Sequence, residues 1–349
     1  MKRVISCLLV FVLCVSILSS CKPDAKNSEK DDHSLDISFA DAFRDSELSQ
    51  GYVTSDTIAF YKVGKKQPQI DCVEIEKVIS SVKNSGNLPR SKYYEQFMDK
   101  KMDMVLTAID YCMANGYSRF VLPSTQVVGN DLTDNFFYLQ ECFHFNNSNR
   151  MIGQTRKSVV LEDGKTLNYV LVTIPSLEQF DMENYNKAIK KAREIVGSVP
   201  KGYSQAETAT YLYSYITNNV RFYQDEYYES DWNLAYDALI NNNTVCAGYA
   251  EALYLLYNLA GIDCIIINGY LDGGGSDDWH AWNIAQIDGK YYLFDSTWDE
   301  GRSPEEYKYF GLSQDAMQKL YPRNTTSAIE KAIPECSDIL KPVLSAVYN

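Results

Sequence analysis

Three hydrophobic patterns follow one another along this chain. An apolar stretch and a polar, charged run over residues 22–34 come first, and short apolar segments of mixed type then continue to about residue 175. Residues 57–63 read as a strand. Met102, Val105, Leu106, Ile109 and Met113 recur at helical spacing within residues 98–115 and stop at Gly116, a suitable helix end. Residues 157–161 and 166–174 flank Glu162-Asp163-Gly164-Lys165, the signature of a hairpin. Residues 119–122 and 136–139 are apolar runs whose type the pattern leaves open. From Met182 the period becomes helical. Residues 184–196 carry charge along one face, and Ser204-Gln205-Ala206-Glu207 is a capping box opening a helix towards Asn219. Ala250, Leu253, Tyr254 and Tyr257 continue a third helix to Gly261. Strand patterns close the series at residues 264–271, 279–287 and 290–298, the last two joined by Asp288-Gly289, a two-residue hairpin turn. The expectation is an α+β chain, with a mixed α and β N-terminal domain over 36–175 and a second domain over 176–349.

The final hairpin sets a register. If Ile287 pairs with Lys290, Trp282 faces Asp295 and His280 faces Thr297, so His280, Trp282 and Asp295 share one face. His280 is then the diagonal neighbour of Asp295, a backbone separation of roughly 7–8 Å that two polar side chains can close. An imidazole and the carboxylate that fixes its tautomer thus come from one hairpin.

The candidate nucleophile lies upstream. Asn241-Asn242-Asn243-Thr244 reads as a loop, which puts Cys246 at the start of the helix that follows. Unsatisfied backbone N–H groups and the positive end of the helix dipole favour a thiolate there, and the same donors can hold an oxyanion. Of the three histidines, His33 falls in the polar run and His144 sits between Phe143 and Phe145, which suits a structural residue. A cysteine enzyme working near neutral pH has little but His280 to use as its base.

Composition narrows the class. The net charge of −13 is spread without a basic cluster, which argues against nucleic acid as a partner. Lys2 and Arg3 precede an apolar segment over residues 4–18 that is short for a membrane span, as in a leader peptide. Leu18-Ser19-Ser20-Cys21 resembles the lipobox of bacterial lipoproteins, which implies cleavage after residue 20, a lipid on Cys21 and a flexible tether over 21–35. With Cys246 set aside as a nucleophile, Cys72, Cys112, Cys142, Cys264 and Cys336 are an odd set, so no disulfide framework is expected. Cys112 and Cys264 lie in apolar runs and suit the core. No CxxC pair or calcium-loop spacing occurs, and no metal or cofactor is implied.

Three blocks then bring a family into view. Val245-Cys246-Ala247-Gly248-Tyr249-Ala250, Asp278-Trp279-His280-Ala281-Trp282-Asn283 and Tyr292-Leu293-Phe294-Asp295-Ser296-Thr297-Trp298 resemble the motif blocks of the transglutaminase-like superfamily, a circularly permuted relative of the papain-like fold. Ala235 to Leu239, Tyr309-Phe310 and Pro334-Glu335-Cys336 are similar to its bacterial exported branch, and the likeness covers residues 180–336. It implies a helix-start cysteine packed on an antiparallel sheet and a triad of Cys246 as nucleophile, His280 as base and acid, and Asp295 as orienting carboxylate. The oxyanion side chain does not carry over cleanly. Gln224, Trp232 and Tyr236 compete for it, with Tyr236 favoured, while Trp279 and Trp282 flank the histidine as candidate cleft residues.

The expected activity is that of a cell-surface cysteine protease or amidase, or an acyltransferase, passing through a thioester. Hydrolysis is favoured over cross-linking, because a tethered enzyme meets water in excess. Expected substrates are a peptide, a protein or a peptidoglycan stem, with the membrane reached through the lipid anchor. The alternatives are a catalytically silent scaffold that binds peptide or wall polymer, and an N-terminal half that inhibits or selects.

Overall fold

The computed structural model describes residues 56–62, 69–84, 91–97, 102–123, 153–160, 166–174, 182–223, 234–271, 279–325 and 332–347. The leader, Cys21, the tether with His33, residues 136–139, Cys142, His144, Gln224 and Trp232 lie outside them.

In the N-terminal half, β1 (Thr57–Lys62), β2 (Gln69–Glu74), β3 (Arg119–Pro123), β4 (Gly153–Val160) and β5 (Thr166–Thr173) form an antiparallel sheet in the order β2-β1-β3-β5-β4. The expected hairpin is the β4–β5 pair, with Val160 opposite Thr166. Two helices accompany the sheet, α1 (Ile75–Asn84) and α2 (Met102–Asn115). The apolar residues at helical spacing in α2 are all buried, and Gly116 takes the positive φ of 72° that turns the chain out of it.

The C-terminal half supplies α3 (Met182–Gly197), α4 (Gln205–Asn219), the short α5 (Leu234–Tyr236) running into a π turn over Asp237–Asn241, and α6 (Cys246–Leu259). Its antiparallel sheet has the order β10-β9-β8-β11, with β8 at Cys264–Leu271, β9 at Trp279–Ile287, β10 at Lys290–Phe294 and β11 at Arg323–Thr325. A two-residue parallel pair, β6 (Arg221–Phe222) and β7 (Asn243–Thr244), and α7 (Gln314–Leu320) complete the half. The capping box at α4 is formed, with Ser204 Oγ accepting from Glu207 N and Glu207 Oε2 accepting from Ser204 N.

One element differs from expectation. The ladder starts at Lys290↔Ile287 as the turn requires, but β10 ends at Phe294, opposite Asn283, instead of running to Trp298. At Asp295 the backbone N–H turns away to Tyr309 O at 2.9 Å, and residues 296–300 form turns. Thr297 is therefore no ladder partner of His280.

Alternation along β8, β9 and β10 divides their side chains between two cores. Ile265, Ile267, Trp282, Ile284 and Leu293 join the apolar cluster that contains α2 and the first sheet. Ile266, Ala281, Ala285, Tyr292 and Phe294 pack on the other face with α3, α4 and α6. Helix α6 is buried at every residue from Cys246 to Tyr257, so it runs through this second core with no solvent face over those turns. The two halves are also tied by hydrogen bonds. Asp263 Oδ1 accepts from Ser91 Oγ at 2.6 Å and from Lys92 N at 3.0 Å, and Tyr254 Oη accepts from Ser91 N at 2.9 Å.

Candidate active site

His280 is the second residue of β9, and Asp295 is the first residue beyond β10. Their register brings them together: His280 Nε2 and Asp295 Oδ2 are 2.8 Å apart, and both side chains are almost wholly screened from solvent. The expected diagonal is thus closed by a direct hydrogen bond. Trp282 stacks beside the imidazole, with ring centres 6.2 Å apart and planes within 19°. Trp298, which the sequence reading quoted only as part of a motif block, comes to the same nitrogen, its Nε1 lying 3.1 Å from His280 Nε2.

These contacts make opposite demands on Nε2. Asp295 needs a proton there and Trp298 needs a lone pair. The ionised acceptor at the shorter distance prevails, because charge-assisted hydrogen bonds are roughly twice as strong as neutral ones. Nε2 therefore carries the proton towards Asp295, and Nδ1 is the basic nitrogen of the ring.

Cys246 opens α6 and is 1% exposed. Val245 precedes it as N-cap and offers no side-chain cap, whereas Ser204 and Ser313 cap α4 and α7. Leaving out a Ser or Asp at this position keeps side-chain oxygens and negative charge away from the end of the helix that carries the thiol. The turn is set by a close approach. A Cβ at Gly248 would fall 2.0 Å from Thr244 Oγ1 and 2.7 Å from its Cγ2, so only glycine lets the buried Thr244 side chain lie against it.

Two further bonds give the level of the cysteine along β9. Near the end of α6, Asn258 Nδ2 donates to Cys264 O at 3.0 Å, and Cys264 stands opposite Ala285. Two turns earlier, Ala250 O accepts from Asn283 Nδ2 at 3.0 Å. Helix and strand therefore run in the same direction. One more turn back, about 5.4 Å, is worth fewer than two strand residues at about 3.3 Å each, which brings Cys246 to the level of Ala281 and His280. Alternation turns His280 to the sheet face opposite α6.

The other cleft candidates are more scattered. Tyr236 is half-buried at the end of α5 and packs against the core around α6. Trp279 is half-buried against the same core, whereas Trp282 belongs to the opposite one. Within the electrostatic reach of Asp295 lies another buried acid, which the sequence pattern does not single out. Asp299 has no exposed surface, accepts from Tyr213 Oη, Lys308 N and Tyr309 N at 2.9 Å each, and lies 3.6 Å from Arg302 Nε. Burial pushes its carboxyl above the ordinary carboxylate value against the pull of those donors.

The remaining described cysteines are thiols with no such setting. Burial pushes Cys112 and Cys264 well above 9.0 and Cys336 up to about 12, and Cys72 is raised by burial and then by Asp71.

The model of the transglutaminase-like superfamily matches residues 189–296, a span that holds Cys246, His280 and Asp295. The chain carries a transglutaminase-like domain. Kyphoscoliosis peptidase from mouse is 25% identical to the chain over 151 residues, which cover 40% of this chain and 23% of that protein. The human protein of the same name is 37% identical over 73 residues, covering 19% of this chain and 11% of that one. The chain thus spans less than a quarter of the length of these relatives. The periplasmic domain of TgpA from Pseudomonas aeruginosa aligns at 16% identity over 42% of this chain and 63% of that one, with a TM-score of 0.27, a likeness too distant to bear on the site. The transglutaminase-like domain takes its place in a mixed α and β chain with antiparallel sheets.

Proposed function

We propose that the chain is an exported, lipid-anchored, cysteine-dependent acyl-transfer enzyme with Cys246, His280 and Asp295 as its triad, and that it hydrolyses amide bonds rather than cross-linking them. One observation carries the reading: a buried imidazole bonded to a buried carboxylate stands on the strand against which an uncapped helix packs, and the first residue of that helix is a cysteine. In the proposed reaction Nδ1 of His280 takes the thiol proton, and the sulfur attacks an amide carbonyl. The tetrahedral intermediate collapses to a thioester as the imidazolium returns its proton to the departing amine. Water, deprotonated by the same nitrogen, then attacks the thioester, releasing the acid and restoring the thiol. Asp295 holds the ring and stabilises its cation throughout. Because His280 faces away from α6, the reading requires sulfur and imidazole to meet around the start of β9, past Phe294↔Asn283 where the ladder with β10 has stopped. In this reading the C-terminal half is a domain of permuted papain-like arrangement over 176–349, preceded by a separate N-terminal domain over 36–175.

Hydrolysis is supported by the excess of water at a cell surface and by the name peptidase carried by the two relatives. Tyr236 is proposed to line the cleft, with Cys21 as the lipidated residue and peptide, protein or peptidoglycan stem as substrate. The rival is a silent scaffold that binds such polymers, and the 1% exposure of Cys246 favours it, since a substrate must part the surrounding side chains to reach the sulfur. A small thiol-reactive amide-mimic probe at neutral pH separates the two. The enzyme reading expects labelling of the native chain that is lost in Cys246→Ala, and equal labelling of both proteins speaks for the scaffold. Mass spectrometry of peptide and peptidoglycan-stem libraries after incubation then identifies the acyl donor.

A further inference from the structure

Asn283 belongs to the same motif as His280, yet the chemistry above does not use it. It is 1% exposed and lies on the α6 face of β9, with Ile266 and Phe294 as its ladder neighbours and Ala281 and Ala285 beside it in phase. An apolar residue would suit that position. The amide nitrogen of Asn283 instead donates to Ala250 O at 3.0 Å and points at Ile265 O at 3.4 Å and Cys264 Sγ at 3.6 Å. Its amide oxygen is buried and finds no donor among the described residues. Turning the amide over would set that oxygen against two carbonyls, so the network fixes the orientation.

A buried acceptor left without a donor destabilises a fold. What Asn283 supplies is therefore its N–H, aimed at the backbone of α6 one turn after Cys246. Helix and strand contribute Ala247, Ala250, Ala281 and Ala285 to the core around that bond, side chains too small to interlock against sliding. A slip of one helical residue would shift the sulfur by about 1.5 Å along the strand. Misplacements of that order cost proton-transfer sites about a hundredfold in rate.

We propose that Asn283 is a positioning residue whose bond to Ala250 O fixes the height of Cys246 relative to His280. The proposal deepens the acyl-transfer reading and rests on it. The deciding variant is Asn283→Leu, which keeps the volume, removes the donor and also removes the unpartnered oxygen. The full chain is treated with iodoacetamide between pH 4 and 9, and alkylation of Cys246 is followed at the peptide level with exposed Cys72 as reference.

In the native chain, Cys246 is expected to show reactivity below pH 7 that is missing in His280→Ala. Asn283→Leu is expected to melt at the same temperature or higher while losing at least about tenfold of that His280-dependent rate. Should Asn283→Leu keep the native profile, or slow equally at every pH as a change of access alone would, the positioning role is overturned. A native profile identical to that of His280→Ala instead brings down the enzyme reading beneath it. If the leucine variant does not melt cooperatively, Asn283→Val, smaller and at home in a strand, is read in the same way.

Discussion

At the scale of single residues, the pair His280 and Asp295 and the neighbouring acid Asp299 do different work. Asp295→Asn keeps an acceptor at the 2.8 Å contact but removes the charge that stabilises an imidazolium, and His280→Ala removes the proposed base. Each should lower Cys246-dependent turnover by about 10²–10⁴-fold with the melting temperature nearly unchanged for the Asn variant. Cleavage rates measured beside circular-dichroism melts check this, and full activity in His280→Ala would end the base assignment. Asp299 titrates in the opposite sense from most structural carboxylates. Its folded-state value lies above the ordinary 3.8, chiefly through burial, so it contributes stability that is present below pH 3.8 and lost as pH rises through the raised value. Asp299→Asn mimics the neutral acid but keeps only one acceptor oxygen: set at the Oδ2 position it still accepts from Tyr309 N and Tyr213 Oη, while its NH2 group meets Lys308 N, a penalty of about 1–3 kcal/mol at all pH. The variant's deficit should therefore be largest in acid and shrink towards neutrality. Thermal melts at half-unit pH steps read this directly, and a deficit that grows with pH would mean the three donors outweigh burial.

At the scale of elements, the turn that carries Cys246 depends on a missing methyl group. In Gly248→Ala the new Cβ meets Thr244 Oγ1, Cγ2 and Cβ, all closer than real contacts allow. The first turn of α6 has to shift, at a cost of about 1–3 kcal/mol. Because Cys246 is part of that turn, labelling of the thiol should fall more than stability explains. Adding Thr244→Ala removes the two nearest atoms but leaves Cβ at 2.8 Å, so the double variant should recover stability only in part. Additive melting shifts for the two substitutions would show that the approach is not strained. The elements also show why some of the site could be read in advance. Asp288 and Gly289 both adopt positive φ, 51° and 80°, as a two-residue turn of this type demands. That local chemistry fixes Lys290↔Ile287, and alternation carries the register forward to His280 and Asp295. The end of β10 was not legible, because it depends on a bond from Asp295 N to Tyr309 O across a distant loop. Trp298 and Asp299 were missed for the same reason, since their partners are His280, Tyr213 and Tyr309. Asn283 does carry a signal in the sequence, a polar residue in the apolar phase of β9.

At the scale of the whole molecule, the C-terminal sheet stands between two cores. Its α6 face completes the transglutaminase-like domain, while Ile265, Ile267, Trp282, Ile284 and Leu293 on the other face join residues of α2 and the first sheet. Trp282 is thus held on one side by the N-terminal half and stacked on His280 on the other. The clamp of Ser91 and Lys92 on Asp263 adds a polar tie, from the N-terminal half to the turn between α6 and β8. A chain lacking residues 36–175 would expose that apolar face, and contiguous patches of such size drive association. The deletion variant should bind a hydrophobic dye, elute as aggregate and lose Cys246 reactivity as Trp282 is released. Size-exclusion chromatography with dye binding tests this, and the result bears on how the N-terminal half acts. A detachable inhibitor leaves a soluble and more active remainder behind, whereas a half that completes the core leaves a damaged one. A monomeric deletion variant with a cooperative melt and raised labelling would favour the inhibitor. The shared core argues for the other outcome, in which the sheet carrying His280 needs both of its faces covered.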